Sequence, residues 1–236
     1  MVTINKINQV SESLLLAVKM EEDTSAIEKS LADLDLKKLF EHLNEDSHKK
    51  AFWVNIYNAF FQILRKEKQV EKSTIYKKKY INIAAQELSL DDIEHGILRR
   101  YRYKFSLGYL PNFFADSLIK KLAVDAIDYR IHFALNCGAA SCPPIAFYTP
   151  DKIEHQLELA TLSFLESETE VDNTQKEIQI SKLFKWYQGD FGGKRGIRKI
   201  IQDKFKIDAK GYSWKYKDYS WEEQLSNYST IGFEEA

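Results

Sequence analysis

From Ala51 to Leu64 the chain reads AFWVNIYNAFFQIL, with no charged residue anywhere in the run. A helix drawn through it sets Trp53, Tyr57, Phe60 and Leu64 on one stripe, which Phe52, Ile56 and Ile63 widen. The remaining face carries Asn55, Asn58 and Gln62, and charge returns only at Arg65. A solvent-facing stripe normally holds Lys and Glu. Three amides instead predict a polar face that is itself buried, and buried amides need hydrogen-bond partners. Those partners are the backbone of a neighbouring loop or the groups of a site, and the two options are compatible. The fold must be built around this helix.

The flanking segments supply both helix and strand. Residues 5–43 read as helical, with Ser25 and Glu28 spaced as a capping box and Leu31, Leu34, Leu39 and Phe40 recurring behind them. Ser89 fits an N-cap, with Asp91 and Asp92 in the first turn and Leu90, Ile93 and Ile97 on the apolar face. LGYLPNFF reads as a loop, and DYRIHFALN alternates like a strand. Thr149 and Pro150 look like the cap and first position of another helix. A hairpin is expected around Asp172 and Asn173, then a helix, a glycine turn at GDFGG, a second helix, and an aromatic, strand-like tail. No Pro/Gly/Ser linker divides the chain. The expected fold is a single α+β domain at residues 45–236, its central helix packed on a small, mostly antiparallel sheet, with a helical extension at residues 1–44.

The charges and cysteines narrow the function. A formal net charge of −1 over 236 residues gives no basic field, so nucleic-acid binding is not expected. The lysines of YKKKY and the bases after GDFGG read as solvated surface. No apolar run approaches the roughly 20 residues that cross a bilayer, so no membrane association is expected. The N-terminus lacks a basic n-region and a cleavage site, and the chain reads as cytoplasmic. Two cysteines are too few for a disulfide framework.

Both cysteines sit in RIHFALNCGAASCPPIAFY. Their C-x₄-C spacing lacks a second pair, so no metal and no cofactor is expected. Three readings remain. In the first, Cys137 on its turn of small residues is a nucleophile, with the N–H groups of Gly138 and Ala139 as oxyanion donors. His95 would be its base, His132 a second candidate, and Glu94 would orient the imidazole or bind a substrate cation. Asn55, Asn58, Asn136 and Ser141 would hold polar groups of the substrate. That makes a cysteine-dependent hydrolase or acyltransferase acting on an amide or thioester of a peptide or small molecule. In the second reading the cysteines are core packing in a binding or scaffold module. In the third, Cys137 and the second thiol, Cys142, pair reversibly.

Five blocks, AFWVNIYNAF, LSLDDIEHGILR, RIHFALNCGAASCPP, LFKWYQGDFG and YKDYSWEEQL, follow one another in this order. Together they resemble the signature blocks of the domain-of-unknown-function family DUF547, from roughly residue 45 to residue 225. The resemblance brings no settled activity. It singles out Asn55, Asn58, Glu94, His95, His132, Asn136, Cys137, Gly138, Ser141, Cys142, Pro143 and Pro144 as positions matching the motif. A Glu, a His and a Cys in separate blocks are also similar to the thiol site of papain- and transglutaminase-like enzymes. There the nucleophile opens the central helix, whereas here Asn55 lies in that helix and the cysteines come later.

Overall fold

A computed structural model describes residues 7–229. The termini, including the first residues of the expected helical extension and the end of the tail, lie outside the described residues. Four helices lead: α1 (Ile7–Met20), α2 (Ser25–Ala32), α3 (Leu36–His42) and α4 (Asp46–Gln62). α4 is the central helix, with every side chain from Lys49 to Gln62 buried. Its long partner is α1, whose Leu14, Leu15 and Val18 face it across the main core. The buried Lys50 at its start is neutralised by Asp128 at 3.0 Å and Glu154 at 2.5 Å.

The fold is α+β, with its strands in two separate sheets. β1 (Ile81–Ile83) and β2 (Gln86–Leu88) form an antiparallel pair on the main core. A second, smaller core lies beneath β3 (Glu170–Asp172), β4 (Glu177–Ile180) and β5 (Ser213–Tyr216). β3 and β4 make the expected hairpin, whereas β4 and β5 run parallel, joined through α7 (Leu183–Trp186) and α8 (Gly193–Phe205). Phe133 belongs to this second core, stacked 5.0 Å from Phe164 of α6 (Ile153–Glu168). The short α5 (Ser117–Leu122) completes the set.

Three local expectations are corrected. DYRIHFALN is a 3₁₀ turn, Tyr129–Phe133, and not a strand. The Asp128 carboxylate accepts from the Arg130 N–H and starts the turn, and Ile131, His132 and Phe133 are all buried, which no two-faced strand would allow. α2 takes Thr24 as its cap without a side-chain cap bond, the Thr24 hydroxyl donating to Glu28 at 2.8 Å, so the capping box expected at Ser25 and Glu28 does not form. α6 starts at Ile153 because Thr149 to Lys152 close a separate turn first. The Ser89 cap is present as expected: its hydroxyl accepts from the Asp92 N–H, and Asp92 accepts from the Ser89 N–H.

Candidate functional site

The amides of α4 build the cysteine loop. Asn58 donates to the Ala134 carbonyl at 2.9 Å and accepts from the Asn136 N–H at 2.9 Å. One turn earlier, Asn55 does the same to Tyr148, at 2.8 and 3.1 Å. Each side chain thus imitates a strand edge and clamps one end of the 134–148 segment. Gln62 reaches further along the same face and accepts from Ser226 at 3.1 Å. Inside the loop, Asn136 accepts from Gly138 N–H at 2.8 Å and donates to the Pro143 carbonyl at 2.7 Å. Gly138 has φ of +70°, and a Cβ there would stand 2.5 Å from the Phe61 ring, so only glycine fits.

This clamp brings the two sulfurs together: Cys137 and Cys142 are joined in a disulfide, their Cα atoms 6.1 Å apart. Cys142 is buried and Cys137 is partly open. The Tyr219 hydroxyl lies 3.2 Å from the Cys142 sulfur and 3.5 Å from that of Cys137, and the Cys137 N–H donates to the Cys142 sulfur at 3.1 Å. Tyr219 comes from a tail that straps the loop, through Ala140 N–H to Glu222, Ser141 N–H to Ser220 and Gln224 N–H to Gly138.

Beside it lies a buried polar cluster centred on Glu94. A π-helical segment, Asp92–Leu98, widens the backbone so that Arg99 N–H bonds back to the Glu94 carbonyl. The Glu94 carboxylate accepts from the Tyr57 hydroxyl at 3.1 Å and the Tyr187 hydroxyl at 2.7 Å. Arg99 donates from Nη1 to His95 Nδ1 at 2.7 Å and from Nε to Asp190 at 2.5 Å, with its guanidinium 4.6 Å above the Tyr187 ring. His132 also stacks on that ring at 4.0 Å and donates from Nε2 to the same Asp190 oxygen at 2.9 Å. Because arginine can only donate, His95 Nδ1 must be the bare nitrogen, which leaves the proton on Nε2, 3.6 Å from Asp91.

The electrostatics follow from burial. Desolvation holds His95 and His132 below the ordinary histidine range, although Glu94 and Asp190 pull the other way. Burial would raise the Glu94 carboxyl, but His95, the Tyr187 hydroxyl and Arg99 together outweigh it and keep it ionised. Asp190 is held down against its own burial by His132 and Arg99. Tyr219 is pushed up, first by burial and then by the acids Glu168 and Glu94, so its hydroxyl keeps its proton. Tyr76 feels Glu94 too, and its hydroxyl reaches the Cys137 carbonyl at 3.5 Å. Both tyrosines thus touch the cysteine loop while feeling the charge of Glu94.

The expected site residues therefore separate into two groups. Glu94, His95 and His132 do converge, but on Arg99 and Asp190. Among the described residues, neither sulfur has an imidazole within hydrogen-bond reach, and the Gly138 N–H is already given to Asn136. Asn55, Asn58 and Asn136 are fully buried with their amides committed to backbone, and the Ser141 hydroxyl accepts from the Ser220 N–H at 2.9 Å. In this arrangement they shape the loop. Sequence reading missed Tyr57, Arg99, Tyr187, Asp190 and Tyr219. Their signals were present: Arg99 is at i+4 from His95, and Tyr187 and Asp190 lie in the WYQGDFG block, where GDFGG was read as a turn alone.

A protein-family model described as "Protein of unknown function, DUF547" matches residues 40–165, more than half of the chain. No curated protein and no solved structure matches, so the likeness to papain- and transglutaminase-like enzymes finds no support.

Proposed function

The chain belongs to the DUF547 family, and within that family we propose that it is a thiol–disulfide protein, in which Cys137 and Cys142 pass reversibly between bridge and dithiol. The observation that carries this reading is the pair of donors aimed at the Cys142 sulfur, the Tyr219 hydroxyl at 3.2 Å and the Cys137 N–H at 3.1 Å. In the exchange, the thiolate of an external thiol attacks the sulfur of Cys137, the less buried of the two cysteines. A mixed disulfide forms, the Cys137–Cys142 bond breaks, and Cys142 leaves as a thiolate that accepts both hydrogen bonds. A second external thiolate then attacks the external sulfur of the mixed disulfide, releasing Cys137. The sum is one protein disulfide plus two thiols giving one protein dithiol plus one external disulfide. Hydrogen bonds to a leaving thiolate lower its basicity and make it leave faster.

The cysteine-dependent hydrolase or acyltransferase reading would need a base at the sulfur. His95 is turned to Arg99 and His132 to Asp190, so that reading draws less from the geometry. The deciding experiment is thiol titration of the native protein in a graded thiol/disulfide buffer. Two thiols should appear together on reduction and vanish together on reoxidation, with no covalent dimer. Cysteines that stay free under mild oxidant, or a bridge that native protein never yields to a dithiol reductant, would overturn the proposal in favour of a structural role.

A further inference from the structure

Between the Glu94 segment and α5 the chain makes a hairpin-like loop from Tyr101 to Ala115. Its apolar side chains point outward: Phe105 is 89% exposed, Phe114 91%, Phe113 73% and Leu110 62%. Isolated apolar residues on a surface are ordinary, but four so exposed within ten positions are not.

The loop satisfies its own backbone. Tyr103 N–H donates to the Leu110 carbonyl at 2.9 Å and Asn112 N–H to Tyr101 at 2.6 Å. The Ser106 hydroxyl accepts from Leu110 N–H at 3.2 Å, and the Asn112 side chain accepts from Phe114 N–H at 3.1 Å. Such a loop offers few unpaired groups for a partner's strand to bond. It can also leave water at low cost, the condition for entering a bilayer interface. Its charge is one-sided. Between Arg100 and Lys121 the only acid is Asp116, which caps α5, against the bases Arg100, Arg102, Lys104, Lys120 and Lys121, of which Lys104 is paired with Asp91 at 2.8 Å. Arg102 donates to the Tyr109 carbonyl and Lys120 to that of Phe113, so both cations are held beside the exposed rings. The tip of the loop is pinned by Gly189 N–H on the Leu107 carbonyl at 2.7 Å.

Exposed aromatics with flanking bases on a self-bonded loop are the pattern of an interfacial anchor on anionic lipid. We propose that this loop docks the protein peripherally on an anionic lipid surface, with Phe105, Leu110, Phe113 and Phe114 at the acyl boundary and Arg102 and Lys120 among the headgroups. The contact needs no spanning helix, and among the described residues no helix is long and apolar enough to cross a membrane.

The test is co-sedimentation of the full chain with vesicles of phosphatidylcholine, alone or with phosphatidylglycerol added. Binding should require the anionic lipid, weaken with salt, and fall by about tenfold or more in the triple variant Phe105→Ser, Phe113→Ser, Phe114→Ser. Those side chains are exposed, and circular dichroism of the variant confirms that it folds. Cys137→Ser should bind as the parent does, which separates this result from the redox reading. Parent protein left in the supernatant with both vesicles, or sedimentation that the triple variant retains, overturns the proposal. Self-association of the parent that the triple variant abolishes, without vesicle binding, gives the loop to a second copy of the chain instead.

Discussion

Arg99 and Asp190, 91 residues apart, form an ion pair of 2.5 Å with both side chains wholly removed from solvent. Removing one member leaves the other as a buried, uncompensated charge, at a cost of about 3–5 kcal/mol. Arg99→Met should therefore lose that much in chemical denaturation. Asp190→Asn, whose amide oxygen still accepts, should lose less, and the double variant less than the sum. An Arg99→Met protein as stable as the parent would show that the pair does not hold the two cores together.

Acid should weaken the protein before its carboxylates titrate. His95 and His132 are held below the ordinary histidine value, so the folded protein takes up fewer protons than the unfolded chain as pH falls past about 6.5. Their contribution is complete above that pH and drains away below it. Glu94 and Asp190, whose values are also depressed in the fold, add their loss only below about pH 4.5. Denaturation midpoints should be level near neutrality and decline from about pH 6.5 downward, with a shallower decline in His132→Gln. A midpoint unchanged down to about pH 5 would contradict this.

The amide clamp should be costly to remove even though it is remote from any charge. Asn58→Leu leaves the Ala134 carbonyl and the Asn136 N–H unpaired inside the protein, each costing about 1–3 kcal/mol. Guanidinium denaturation should show that loss. The control is Lys199→Ala, which removes an exposed ion pair with Asp203 and should change stability by less than about 0.5 kcal/mol. Equal effects from the two substitutions would mean that the amide is not structural.

Gly189 has no room for a side chain. A Cβ there would lie 2.6 Å from the Gly108 carbonyl carbon and 2.7 Å from the Tyr109 nitrogen, both backbone atoms. Gly189→Ala should cost about 1–3 kcal/mol by forcing the two loops apart. Thermal denaturation measures it, and an unshifted midpoint would mean that the approach is looser than described.

The central helix was legible because its pattern answers to local rules: an uncharged run with amides at helical spacing has few places to go. The Ser89 cap and the hairpin at Asp172 were readable for the same reason. DYRIHFALN was not, because Asp128 and the packing of Phe133 against Phe164 decide its shape, and alternation alone cannot register either. The site failed at its pairing. Glu94, His95 and Cys137 could each be picked out as chemically interesting, but their partners are Tyr187, Arg99, Asp190 and Tyr219, set by long-range contacts. Asp190, Tyr187 and Tyr219 even fall beyond the stretch that the family model matches.

The strap formed by residues 219–229 orders events in time. The disulfide loop takes bonds from Ser220, Glu222, Gln224 and Asn227, and its sulfurs take one from Tyr219. A nascent chain emerging from the ribosome carries both thiols long before these residues exist. Oxidation in the folded arrangement is thus a late act of biogenesis, and any oxidant that arrives earlier meets two cysteines not yet held for each other.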